Sequence, residues 1–130
     1  MNPTDRADIL RLEQISDLLD SFQRDFGGMT RAAFAASPLH QDAATHRLMH
    51  IGEKTNHLSD DLKARHPDIP WREMKGFRHI AAHAYERVSP DLVWTTMTGR
   101  LGPVRDMVSA ELARDAERAA QDRGGLDPER

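Results

Sequence analysis

The chain has 130 residues, of which 38% are apolar and 30% charged, with a net charge of −3 and no cysteine. That length supports one hydrophobic core and excludes two full domains, while the missing thiols exclude disulfide scaffolds, thiolate zinc sites, iron–sulfur clusters and cysteine nucleophiles. A mean hydropathy of −0.67 and only 5% aromatic residues favour a helical protein over a β-sandwich. No run approaches the roughly 20 apolar residues of a membrane span, and Met1 to Leu10 does not resemble a signal peptide, so a cytoplasmic location is expected. The acidic balance gives no global field for nucleic acid; DNA is not expected, and RNA binding would rest on a local patch.

Asn2-Pro3-Thr4 reads as a helix start with Thr4 as the cap, after which Leu12, Ile15, Leu19, Phe22 and Phe26 recur every three or four residues. Gly27-Gly28 is expected to end this helix in a left-handed conformation. Thr30 caps a short alanine-rich segment, and Ser37-Pro38 opens a second long helix with Ala44, Leu48, Ile51, Thr55 and Leu58 on its apolar face. Ser59-Asp60-Asp61-Leu62 reads as a cap and one turn, followed by a linker from about Ala64 to Pro70, where two X-Pro steps disfavour helix. A third helix opens at Pro70-Trp71, with Met74, Phe77, Ala81, Ala84 and Val88 on its apolar side. Ser89 caps a fourth, and Gly102-Pro103 breaks or kinks it before Val104, Met107, Val108 and Leu112 resume the stripe. The prediction is all-α: an up-and-down bundle of four to five helices over residues 1–118, with a frayed or disordered tail over 119–130.

The third helix concentrates polar chemistry, because Arg78, His79, His83 and Tyr85 stand among small or apolar neighbours. The window from Lys63 to Arg87 carries a net +3, against −6 for the rest of the chain. An ideal helix separates Arg78 and His83 by about 140° and leaves Tyr85 only about 20° off the line of Arg78.

Arg78-x4-His83-x-Tyr85, with Ile69-Pro70-Trp71-Arg72 before it and Trp94 after it, resembles the HepT-like branch of the HEPN ribonucleases. Ile51-Gly52-Glu53-Lys54 and the stretch from Leu58-Ser59 to Pro70-Trp71 are similar to the family's second helix and linker, so the resemblance runs from about Asp5 to Leu112. It implies a metal-independent endoribonuclease toxin with no cofactor, in which Arg78 stabilises the developing phosphorane charge and His83 carries the proton. His79 falls where the family commonly has Asn or Asp and takes a supporting place. The resemblance further implies a homodimer whose motif helices meet across the two-fold axis, which answers the awkward angle between Arg78 and His83. It also implies a partner, a minimal nucleotidyltransferase antitoxin of the MntA type that adenylylates Tyr85 and so blocks the RNA cleft.

Each of these residues has a plainer counterpart. Arg78 could pair with Glu73 or Glu86 on the surface, His83 could be a hydrogen-bonded core histidine, and Tyr85 a packing aromatic. His79, His83 and Glu86 have the spacing of a metal-ligand row, but no second motif accompanies them, and no metal is expected. His46 and His50 form an i, i+4 pair that reads as solvated, and Trp71 and Trp94 read as helix-junction anchors. The alternative function, of another class, is a non-catalytic helical adaptor or nucleotide-presenting partner of a nucleotidyltransferase.

Overall fold

In a computed structural model, the backbone of residues 1–82 and 89–125 and the side chains of residues 1–77 and 89–123 are described. Among the described residues the elements are α1 (Pro3–Phe26), α2 (Arg31–Ala35), α3 (Pro38–Asn56), α4 (Asp60–Arg65), α5 (Trp71–Ala82), α6 (Pro90–Gly99) and α7 (Leu101–Gly125), with no strand. The all-α bundle is as expected; α2 and α4 are its short connecting helices.

Local chemistry fixes most of the boundaries. Asn2, not Thr4, caps α1: its Oδ1 accepts the Asp5 N–H at 2.8 Å, and Pro3 takes the first helical position, where no N–H is needed. Thr30 and Ser59 cap α2 and α4 through the N–H groups of Ala33 and Leu62, at 3.1 and 3.2 Å, and Ser37 caps α3. Ser89 occupies the cap position of α6 without a side-chain cap bond. At the end of α1, Gly27 is right-handed (φ −60°, ψ −28°), so the expected left-handed cap is absent there. Glycine is required for another reason, because a Cβ at Gly27 would collide with the Gln23 carbonyl oxygen.

The break between α6 and α7 falls at Arg100, ahead of Gly102-Pro103. Pro103 thereby sits in the first turn of α7, where its missing N–H costs nothing. The segment expected as a tail from Ala119 is helical as far as Gly125, and residues 126–130 lie outside the described residues.

The apolar stripes converge on one core. Leu12, Ile15 and Leu19 of α1, Leu48 and Ile51 of α3, Val93 of α6 and Val104 of α7 are all at most 2% exposed. Most of the contact is between α3 and α5 and between α1 and α7. On α3, Ala44, Gly52 and Thr55 are buried, and small buried residues of this kind let neighbouring helices approach closely. Phe34 of α2 packs on Trp94 of α6 with ring centroids 5.3 Å apart, so Trp94 is the junction anchor expected of it.

Candidate functional site

The candidate site begins on α5, with Arg78 and His79, and the described residues show how that helix is held. Its entry is pinned by backbone bonds from Trp71 N–H to Ile69 C=O at 2.8 Å and from Met74 N–H to Pro70 C=O at 3.0 Å. The Trp71 indole N–H donates to the His66 carbonyl at 3.0 Å, and the Lys63 ammonium lies 6.0 Å from its ring centre, a cation–π arrangement. Met74 and Phe77 are buried in the core, 3% and 5% exposed, which sets the rotation of α5 about its axis.

A second anchor ties the entry of α5 to α7. Glu111, 6% exposed, accepts from Arg65 at 2.6 Å and contacts His66 Nε2 at 2.7 Å. Burial pushes the Glu111 carboxyl up, but Arg65 and His66 outweigh it and hold the group below its usual range. The bond to Glu111 in turn raises the Arg65 guanidinium above its ordinary value. On α1, the 5% exposed Asp8 accepts from both the N–H and the hydroxyl of Ser59, at 2.9 and 2.5 Å.

These contacts sort the cations of the basic window. Arg65 is committed to Glu111, and Lys63 donates to the Asn56 carbonyl at 3.0 Å. Arg72 and Lys75 of α5 are exposed and remain as described surface cations beside the motif. Glu73, one of the two carboxylates named as a surface partner for Arg78, pairs with Arg100; the Arg78 side chain lies outside the described residues.

The backbone of Arg78 and His79 lies within α5, while their side chains lie outside the described residues, as do His83, Tyr85 and Glu86 altogether. The structure therefore places the helix on which the motif begins, at Arg78 and His79, and the roles of Arg78, His79, His83 and Tyr85 are argued below as a proposal. Among the described residues no group of three histidine or carboxylate side chains is assembled for a metal ion, and no helix is long and apolar enough to cross a membrane. Sequence reasoning missed Asp8 and Glu111, although each interrupts an apolar helical stripe, the first four residues before Leu12 and the second three after Val108.

Fold and sequence together define an all-α bundle whose fifth helix carries the backbone of Arg78 and His79 and leads, in sequence, to His83 and Tyr85. Residues 11–111, a span that includes Arg78, His79, His83 and Tyr85, match the family model described as Ribonuclease HepT-like. The chain belongs to the HepT-like ribonuclease family. It is 31% identical over 86 residues to a Thermococcus cleftensis protein named "Probable ribonuclease HepT", covering 66% of this chain and 78% of that one. A Methanocaldococcus jannaschii protein named a "Putative RNase" is 29% identical over 83 residues, 64% of this chain and 72% of its own. A Caldanaerobacter subterraneus protein, likewise named a "Putative RNase", is 25% identical over 88 residues, 68% and 79% of the two chains. No solved structure gives a significant match.

Proposed function

We propose that this chain is a metal-independent endoribonuclease of the HEPN type, acting as the toxin of a toxin–antitoxin pair in the cytoplasm. The observation that carries the reading is membership of the ribonuclease family across a span that contains the whole Arg78-x4-His83-x-Tyr85 pattern. The packing of α5 against α3 adds support, because Met74, Phe77 and Trp71 fix the helix on whose backbone the motif begins, at Arg78 and His79.

In this reading His83 takes the proton from the ribose 2′-hydroxyl, whose oxygen attacks the adjacent phosphorus. The bond to the 5′-oxygen breaks, that oxygen receives the proton His83 took up, and the products end in a 2′,3′-cyclic phosphate and a 5′-hydroxyl. Arg78 stabilises the charge that grows on the phosphorane oxygens, and His79 supports the site by hydrogen bonding. Two copies of the chain bring their motif helices together at the two-fold axis and share one cleft. Exposed Arg72 and Lys75 on α5 give the RNA backbone a cationic approach. A nucleotidyltransferase antitoxin silences the enzyme by adenylylating Tyr85, since the added phosphate brings negative charge into the cationic cleft.

The test is cleavage of a labelled RNA by purified protein in EDTA, with His83→Ala purified identically. Cleavage by the wild type alone, leaving cyclic phosphate ends, is the expected result. Equal cleavage by both proteins, or none by wild type shown by mass spectrometry to be unmodified, overturns the reading.

A further inference from the structure

On α3 the imidazoles of His46 and His50 face each other with Nε2 atoms 3.1 Å apart. Their ring centroids are 4.5 Å apart and their planes cross at 73°, so the two Nε2 edges lie side by side beside the helix. We infer that His46 and His50 form a bidentate site for a first-row divalent transition ion, of which Zn²⁺ is the probe of choice.

The geometry is that of a metal bite. With Zn–N bonds of about 2.0–2.1 Å, two nitrogens 3.1 Å apart subtend about 98° at the ion. That angle lies between the cis positions of an octahedron and those of a tetrahedron, so either coordination is met with small side-chain adjustments. Both ligands come from one helix at i, i+4 spacing, which α3 holds rigid by burying Ala44, Leu48, Ile51 and Thr55 on its other side. His46 is exposed and His50 half-buried, leaving an open approach and coordination positions for water or an anionic oxygen.

The described charge on α3 itself favours a cation. Asp42 lies one turn before His46, Glu53 lies just under one turn after His50, and both are exposed. The nearby basic side chains of α3 are turned towards α1: Arg47 pairs with Asp25 at 2.7 Å, and Lys54 donates to Gln14 at 3.1 Å. No third histidine or carboxylate closes the site among the described residues, so it is a docking site with open positions rather than a closed structural one. It stands apart from the ribonuclease reading, which is assayed in EDTA, so either can fail without the other.

The experiment is calorimetric titration of the tag-free full chain, stripped with EDTA, with zinc chloride alone, together with a thermal melt in the presence of the ion. One saturable site per chain and a zinc-dependent rise in Tm are expected. His46→Ala and His50→Ala, each checked for unchanged helicity by circular dichroism, weaken binding by at least about tenfold, because losing a ligand costs no less than losing an outer-shell partner. His57→Ala, an exposed histidine just past the end of α3, leaves binding unchanged. Absence of saturable binding, or wild-type affinity retained in His46→Ala or His50→Ala, overturns the site and leaves the pair as a simple imidazole–imidazole hydrogen bond.

Discussion

Asp8 of α1 and Ser59 at the start of α4 are joined by two hydrogen bonds across 51 residues of sequence, from the Ser59 N–H at 2.9 Å and from its hydroxyl at 2.5 Å. The same hydroxyl oxygen accepts the Leu62 N–H at 3.2 Å, so one serine both caps a helix and satisfies a buried carboxylate. Replacing Asp8 with alanine leaves the Ser59 donors without their partner in a nearly closed site. Asp8→Ala is expected to cost about 2–3 kcal/mol, the range for removing a hydrogen-bonded charged group that leaves a buried donor unpaired. Urea unfolding followed by circular dichroism measures it; a loss below about 0.5 kcal/mol, the usual scatter of surface substitutions, would show that the bonds are replaced by water at no cost.

Glu111 makes stability depend on pH. Its folded carboxyl is held below the ordinary value of 4.5, so the unfolded chain binds the proton more readily and the contribution is fully present above that value. The contribution fades as pH falls below 4.5 towards the folded value, as linkage requires. Glu111→Gln is therefore expected to be clearly less stable than wild type near neutral pH and to approach it in acid. The deficit at neutral pH is about 2–3 kcal/mol, below the range for breaking a fully buried pair because the Arg65 side chain is 37% exposed. Urea midpoints of both proteins across the acid range test this, and parallel curves would remove Glu111 as the titrating group.

Leu48 is fully buried on α3, the helix that packs most extensively on α5. Truncation to alanine removes transfer energy and leaves a cavity that two closely packed helices cannot easily fill. Leu48→Ala is expected to cost about 3 kcal/mol, read from chemical unfolding. Leu39→Ala serves as the comparison, because that side chain is 76% exposed and its loss should change stability by less than about 0.5 kcal/mol. Similar losses at both positions would contradict the core assignment.

Much of this fold was legible because helical periodicity is a strong signal. The stripe from Leu12 to Phe26 and that from Ala44 to Leu58 are both buried as the spacing indicated. Cap positions were less secure, since Asn2 and Thr4 both offer a side-chain oxygen and only the register of Pro3 decides between them. The Gly102-Pro103 break was misplaced because a proline in a first turn and a proline that ends a helix look alike in sequence. Asp8 and Glu111 were passed over because a charge inside an apolar stripe acquires meaning only when its partner, Ser59 or Arg65, arrives from a distant segment. The motif was legible by pattern alone: residue types and spacing singled out Arg78, His83 and Tyr85, whereas their side-chain geometry lies outside the described residues.

The motif residues carry separable predictions, because charge stabilisation, proton transfer and modification fail differently. In the proposed mechanism Arg78 is the cation that stabilises the phosphorane and His83 the proton carrier, so Arg78→Ala and His83→Ala are each expected to lower the cleavage rate by about 10²–10⁴-fold. Tyr85→Phe retains the ring and loses only the acceptor oxygen, so it is expected to cleave RNA at close to the wild-type rate while taking up no nucleotide. Radiolabelled ATP and a purified nucleotidyltransferase of the expected partner type, followed by a cleavage assay, read both properties in one preparation. Silencing of wild type but not of Tyr85→Phe places regulation on the tyrosine. Equal silencing of both moves the acceptor elsewhere, and loss of cleavage in Tyr85→Phe before any nucleotide is added makes Tyr85 part of the reaction itself.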